Sequence, residues 1–319
     1  MAKPLRILFA VSEASPLAKV GGLADVAGAL PKVLRQRGHD VRIIMPHYPV
    51  VDRFKPELTT LVDSHSIPIM GRYMPASVSL AANNGTPTYL VYNEHYFRRS
   101  KVYGEPDDLE RFLFFSKCVL PTLFKAGWAP DVVHAHDWHT AAVVPLLRTE
   151  RETVPFFCQC ATVFTIHNLA YQGWFDEHFV RTADIGKLLP KVELALRSKL
   201  YSLMALGIYY ADVVSTVSPT YAKEILTPEY GEKLDTLLRL RRKDLYGILN
   251  GIDTEEFNPA NDHRIPFSYD RDSADKKYEN KAALQRQFGL PEDPDVPVLG
   301  MVGRLATQKG LDILIEALP

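Results

Sequence analysis

The chain is short of three things that would narrow its function at once: cysteine, net charge and long apolar runs. Its 319 residues include three cysteines, Cys118, Cys158 and Cys160, too few for a disulfide framework and unable all to pair with one another. Cys158 and Cys160 sit in a strand-like run, not in a four-thiolate arrangement, so buried free thiols in a reducing cytoplasm are expected. The 37 basic side chains are balanced by 38 acidic ones. A formal charge of -1 gives no global attraction to a nucleic-acid backbone or an anionic membrane, and neither partner is expected. No apolar run approaches the roughly 18 residues needed to cross a bilayer. The opening residues Met1 to Val11 lack a signal peptide's order of basic region, long apolar stretch and small-residue cleavage site, and no long transit extension is expected because strand-like residues begin at once. Neither G-x-G-x-x-G nor G-x-x-x-x-G-K-[ST] occurs, which removes the dinucleotide fingerprint and the Walker loop. There is no internal repeat and no low-complexity tract.

What is present is alternation. Leu5 to Val11 is an apolar run, and Leu23 to Leu34 places Leu23, Val26, Ala27, Leu30, Val33 and Leu34 at helical spacing. Gly38 ends that helix, and Asp40 to Met45 supplies a second strand, completing a β-α-β unit. Residues 59–92 read as short strand-like pieces, broken at Pro68, Gly71, Pro75 and Asn83-Asn84-Gly85, that decorate the sheet before Thr88 to Tyr92 rejoins it. The pattern then predicts a helix over 109–124, a strand over 131–134, helical structure over 138–147, a strand over 163–166, a long helix over 192–209 and a strand over 213–217. Such alternation belongs to an open α/β domain with a buried parallel sheet. Near Gly247 to Ile252 a new unit begins, with a polar, exposed stretch over 262–280 and a strand and helix after Pro297. Single cores stop growing near about 250 to 300 residues, so one domain and part of another is the expected organisation.

Four clusters carry chemistry, each just past a predicted strand, where ligands of open α/β sheets collect. In Lys19-Val20-Gly21-Gly22-Leu23-Ala24-Asp25, adjacent glycines let backbone amides approach a ligand, and the helix start adds N–H groups and positive dipole character. Lys19 suits a phosphate, while Asp25 would cap the helix or bind a sugar hydroxyl. In His134-Ala135-His136-Asp137-Trp138-His139, the strand pleat points His134 and His136 alike. Two close histidines and a carboxylate can ligate zinc, so a metal site stands as a rival there. Trp138 suits either a sugar face or core packing. The third cluster, Thr165-Ile166-His167-Asn168-Leu169-Ala170-Tyr171-Gln172-Gly173, gathers polar side chains that would cost free energy if buried unpaired. In the fourth, Arg304 and Lys309 bracket a strand-to-helix turn, where a pyrophosphate could be held.

Taken in order, Lys19-Val20-Gly21-Gly22-Leu23, His136-Asp137-Trp138, Thr165-Ile166-His167-Asn168, Tyr171-Gln172-Gly173, Thr216-Val217-Ser218-Pro219-Thr220, Asn250-Gly251-Ile252-Asp253 and Gly303-Arg304-Leu305 with Gln308-Lys309-Gly310 resemble the bacterial glycogen synthase and plant starch synthase family. The resemblance spans essentially the whole chain. It implies an α/β fold in the GT-B arrangement, two Rossmann-like domains across a cleft, with residues 1–252 as the acceptor-side domain and 253–319 as the beginning of the nucleotide-sugar-binding domain. It implies retaining transfer of glucose from ADP-glucose to the nonreducing end of glycogen or another α-1,4-glucan, with no catalytic metal and no cofactor besides the donor, in the cytoplasm.

By matching motif, Lys19 and Gly22 would line the donor phosphates, with Asp25 and His136 beside them in the substrate-binding set. Asp137 and His167 would contact the transferring sugar, and Asn168 would help position it. Arg304 and Lys309 would stabilise the departing ADP. The family's acidic residue facing donor glucose and most of its base contacts lie beyond Pro319, so the 319 residues alone are expected to have little synthase activity. Two departures from the family pattern are Phe97-Arg98-Arg99, where Phe-Asp-Arg is common, and Met204-Ala205-Leu206-Gly207-Ile208, where Leu-Lys-Gly-Gly-Ile is common. The readings left open are another GT-B nucleotide-sugar transferase, a noncatalytic glucan-binding protein, and a metal hydrolase using His134, His136 and Asp137.

Overall fold

The structure is a computed structural model that describes residues 3–183, 185, 187, 201–303 and 309–318. The chain divides into two compact units, Met1–Gly251 and Ile252–Pro319. The first contains β1 (Arg6–Ala10), α1 (Gly22–Gln36), β2 (Asp40–Pro46), β3 (Thr59–Ile69), β4 (Arg72–Asn83), β5 (Thr86–Tyr92), α2 (Asp108–Lys125), β6 (Val132–His136), α3 (Asp137–Thr140), α4 (Val143–Thr153), β7 (Ala161–Ile166), α5 (Leu203–Tyr210), β8 (Val213–Thr216) and β9 (Leu245–Gly247). The nine strands form one sheet in the order β3-β4-β5-β2-β1-β6-β7-β8-β9.

From β5 to β9 every neighbouring pair is parallel. The central strands are therefore covered on both faces, and Leu8, Phe9, Ala10, Ile43, Ile44, Met45 and Val133 are fully buried, as the near-continuous apolar runs require. The opposite edge is antiparallel, β3 with β4 and β4 with β5. Here the sequence misleads: Pro68 and Pro75 do not break strands but lie inside β3 and β4. Pro68 is tolerated because β3 is the sheet edge, and Pro75 because β4 pairs with β5 only from Ser77 onward. What reads as decoration is thus part of the sheet itself.

Helix α1 is closely fitted. A Cβ on Gly28 would lie 2.5 Å from the backbone oxygen of Ser15, so only glycine lets this helix approach the loop after β1. Helix α2 buries Phe112, Leu113, Phe114, Phe115, Val119 and Leu123. Its Arg111 is fully buried yet satisfied, donating to the Tyr96 carbonyl at 2.8 Å and the Asp108 carboxylate at 2.5 Å. In the Phe97-Arg98-Arg99 segment both the departing Arg98 and the family-like Arg99 find ion pairs. Arg98 reaches Asp52 at 2.6 Å, and Arg99 grips Asp107 bidentately at 2.5 and 2.7 Å.

The helix expected over 192–209 is seen as α5, Leu203–Tyr210; residues 188–200 lie outside the described residues. Cys118 and Cys160 are buried free thiols as expected, but Cys158 is exposed, because it ends a short helical turn ahead of β7 and does not enter the strand. In the second unit the described residues form helices Lys277–Gln287 and Leu311–Ala317, and the stretch over 262–280 is largely exposed. The strand expected over 297–302 is absent: Leu299 and Val302 face solvent, with no neighbouring strand among the described residues to satisfy their backbone. No helix among the described residues is long and apolar enough to cross a membrane.

Candidate active site

The carboxyl ends of β1, β6 and β7 are adjacent because these strands pair in parallel, Phe9 beside His134 and His136 beside Thr165. Each strand leaves its polar residues at the same level. The first three sequence clusters therefore converge at one end of the sheet. The fourth lies in the second unit; there Arg304 falls outside the described residues, and Lys309 is exposed.

After β1 the chain presents Glu13, a residue the sequence reading passed over. It is only 1% exposed, and its Oε2 accepts the backbone N–H groups of Val20 at 2.5 Å and Gly21 at 3.1 Å. Its Oε1 accepts the Tyr103 hydroxyl at 2.7 Å. Burial raises the Glu13 pKa above the ordinary carboxylate value, against the lowering by these three donors, and the negative field of Asp137 raises it further. Two of the loop amides expected to meet a ligand are therefore already committed to Glu13. The N–H of Gly22 lies in the first turn of α1, where no intrahelical acceptor exists, and a Cβ on Gly22 would meet nothing within 4 Å. Lys19 and Asp25 are paired with each other at 2.6 Å on the surface, so Asp25 does not cap α1. An exposed pair of this kind is held by about 0–1 kcal/mol and is readily exchanged for a ligand.

At the end of β6 the chain turns sharply. Asp137 has φ of +55°, a left-handed conformation that Asp tolerates better than most residues. The turn carries its carboxylate, 8% exposed, across to β7, where Oδ1 accepts the N–H groups of His167 at 2.7 Å and Asn168 at 3.3 Å. Burial raises the Asp137 pKa to about 7, outweighing the two backbone hydrogen bonds that lower it. Asn168 folds its side-chain oxygen back onto the N–H of Ala170 at 3.1 Å, closing the turn that follows.

The histidines are neutral and packed. His134 and His136 stack at 4.0 Å between ring centroids, as the strand pleat predicts, with Phe9 against both at 4.8 and 5.3 Å. His134 Nε2 bonds Thr165 Oγ1 at 2.6 Å, and Thr165 in turn bonds Ser215 Oγ at 2.7 Å. His136 Nδ1 bonds His167 Nε2 at 3.0 Å. Burial, aided by the His167 ring, lowers the His134 pKa to about 3; burial lowers His167 to about 4, and His136 well below its usual value. His136, expected in the substrate-binding set, is 0% exposed, and its Nδ1 faces the partly exposed His167. Of the residues in the zinc reading, His134 Nε2 is bonded to Thr165 and Asp137 Oδ1 to the two amides just past β7. Among the described residues no cluster of three metal-ligating side chains occurs.

Trp138 is packing, not a sugar platform. It lies edge-on to Phe112 at 5.5 Å and stacks on His139 at 4.3 Å. Gly173, at φ of +62°, seals it: a Cβ there would fall 2.3 Å from the Trp138 ring. The open aromatic faces of the same loop belong to Tyr171 and Trp174, 49% and 41% exposed. Gln172 ties this loop down by donating to the Glu232 carbonyl at 2.8 Å. A separate hollow of about 690 Å³, lined by Arg148, Tyr209, Tyr210, Asp212 and Arg241 among others, opens at the amino ends of β7 and β8 and shares none of these residues.

Known proteins resemble this chain in sequence and in fold. The family described as "Starch synthase catalytic domain" matches residues 6–240. Glycogen synthase of Moorella thermoacetica is 47% identical over 321 aligned residues, covering 100% of this chain and 65% of the relative. Glycogen synthase of Thermosipho melanesiensis is 43% identical, covering 98% of this chain and 66% of the relative. The chain thus spans about two thirds of the length of the curated relatives it matches. Among solved structures, the catalytic domain of starch synthase IV from Arabidopsis thaliana, bound to ADP and acarbose, superposes with a TM-score of 0.90 at 32% identity, covering 99% of this chain and 66% of that one.

Proposed function

Because the chain belongs to the starch synthase catalytic domain family, we propose that it serves α-glucan synthesis, transferring glucose from ADP-glucose to the nonreducing end of an α-1,4-glucan with retention of configuration. The observation that carries this reading is the convergence at one sheet end of the Lys19–Gly22 loop, the Asp137 carboxylate and the His136–His167 pair. The names of the relatives, and the ADP and acarbose bound to the starch synthase IV structure, supply the substrate class.

In this reading the bond between the anomeric carbon and the diphosphate oxygen breaks, the glucan hydroxyl oxygen bonds to that carbon from the same face, and its proton passes to the leaving diphosphate. Negative charge grows on the diphosphate and positive character on the sugar, so cations belong near the former and oriented polar groups near the latter. Lys19, released from Asp25, and the Gly22 N–H would hold the phosphates, with Asp25 free to take a sugar hydroxyl. Asp137, His167 and Asn168 would face the glucose, and His136 would support His167 from behind. Arg304 and Lys309 of the second unit would neutralise departing ADP. No cofactor beyond the donor is required, and a cytoplasmic location belongs to the same reading, supported by the free thiols.

Glycogen co-sedimentation and glucan-dependent ADP release from ADP-glucose, run beside UDP-glucose, test the proposal. Glycogen binding, and ADP release in excess of UDP release, are expected. Turnover by residues 1–319 alone is expected to be slow, because the described residues of the second unit form no sheet to hold Lys309 in place, and loose placement is costly to catalysis. Preference for UDP-glucose, or product release independent of glucan, would count against the assignment.

A further inference from the structure

We infer that His136 is a positioning residue that donates its Nδ1–H to His167 Nε2 and so holds His167 in the tautomer with its proton on Nδ1. The inference begins with a contact between two imidazoles at 3.0 Å, too short for both facing nitrogens to be protonated or both bare without loss of the hydrogen bond. Both rings are neutral at pH 7, so one proton lies between them. Two arrangements exist. If His136 donates, its Nε2 is a bare lone pair, and His167 carries its own proton on Nδ1. If His167 donates, His136 must carry its proton on Nε2.

The surroundings of His136 Nε2 decide between these arrangements. This atom is buried and has no hydrogen-bond partner among the described residues. The two rings stacked on His136 do not serve as acceptors: Phe9 and His134 lie against its face, with interplanar angles of 22° and 30°, while an imidazole N–H points along the ring plane. A buried N–H without an acceptor is the rarer and costlier defect, whereas an unused acceptor lone pair is better tolerated. His136 therefore keeps Nε2 bare and donates from Nδ1. The fully buried ring fixes the proton of the partly exposed one.

The consequence rests on the glycosyltransferase reading above. A His167 protonated on Nδ1 offers a ligand a donor, suited to a sugar or phosphate oxygen, and cannot take a proton from the attacking glucan hydroxyl. That proton is left to the leaving diphosphate.

Long-range ¹H–¹⁵N spectra of the chain labelled in histidine nitrogen read the tautomer directly, without substrate. The expected spectrum shows His167 with a protonated Nδ1 and a bare Nε2. His136→Phe, which keeps a buried ring and removes the donor, is expected to shift His167 toward the Nε2-protonated form. His136→Asn, whose amide N–H can stand in for Nδ1–H, is expected to restore the original form. A wild-type His167 protonated on Nε2 overturns the proposal, as does a His167 tautomer unchanged in His136→Phe. If His136→Phe does not fold, the wild-type and His136→Asn spectra decide. The Nδ1-protonated form supports the proposal whether or not ADP-glucose shifts its signal; that response bears on the glycosyltransferase reading alone.

Discussion

Asp137 shows how a side chain can be legible in the sequence as a site residue while the contacts that hold it are not. Its place after a strand marks it for a site, but nothing local announces that Oδ1 bonds two amides of the next strand's loop. Its pKa, raised from 3.8 to about 7, means that the folded state holds the extra proton between those values. Its contribution to stability is thus present at low pH and is lost as pH rises through about 7. Asp137→Asn keeps the acceptor and cannot ionise, so urea unfolding at pH 8 should show it no less stable than the parent. Asp137→Ala, which strands two N–H groups, should be weaker by about 1–3 kcal/mol.

The histidines run the other way. His134, His139 and His167 are lowered to about 3, 3 and 4, and His136 well below its usual value, so each supports the fold above its usual 6.5 and withdraws that support as pH falls below it. These four histidines, with His65 also lowered by burial, outnumber the two raised carboxylates, Asp137 and Glu13. Stability measured by denaturant titration should therefore fall as pH drops from 6 to 5. A flat profile there would contradict the burial of these rings. Glu13 itself escaped the sequence reading because its partners, Val20, Gly21 and Tyr103, include one 90 residues away.

At the scale of elements, β1, α1, β2, α2, β6, β7 and β8 were all readable, because apolar runs and 3.6-residue spacing are local consequences of which faces are buried. The antiparallel edge was not. Pro68 and Pro75 read as breakers, and only the pairing partners of β3 and β4 show that neither proline removes a needed donor. The opposite error occurs over 297–302, where an apolar run promises a strand that has no neighbour among the described residues. Helix α1 carries a sharper constraint in Gly28, which reads as an ordinary weak helix position. Gly28→Ala should help an isolated helix but here would push a methyl group to 2.5 Å from the Ser15 backbone. We expect it to destabilise the protein by about 1–3 kcal/mol and to loosen the Glu13–Gly22 loop, seen as faster amide exchange at Val20 and Gly21.

For the whole molecule, the distribution of burial matters most. Among the described residues every buried apolar side chain lies at or before Leu238, so the core belongs to the first unit. Residues 1–251 expressed alone should unfold with the same thermal midpoint as residues 1–319, by calorimetry or far-ultraviolet circular dichroism. A midpoint lower by several degrees would show that residues 252–319 contribute to that core. Sequence alone determined the alternation of strands and helices, the ordered motifs that mark the family, and the strand ends where they gather. These follow from chain-local patterns of polarity. Tertiary structure alone decided that Glu13 occupies the loop amides, that Trp138 is sealed under Gly173, and that His136 stands behind His167 with an Nε2 unpartnered among the described residues. Each depends on contacts between segments far apart in sequence, where burial and the need for hydrogen-bond partners set a side chain's role.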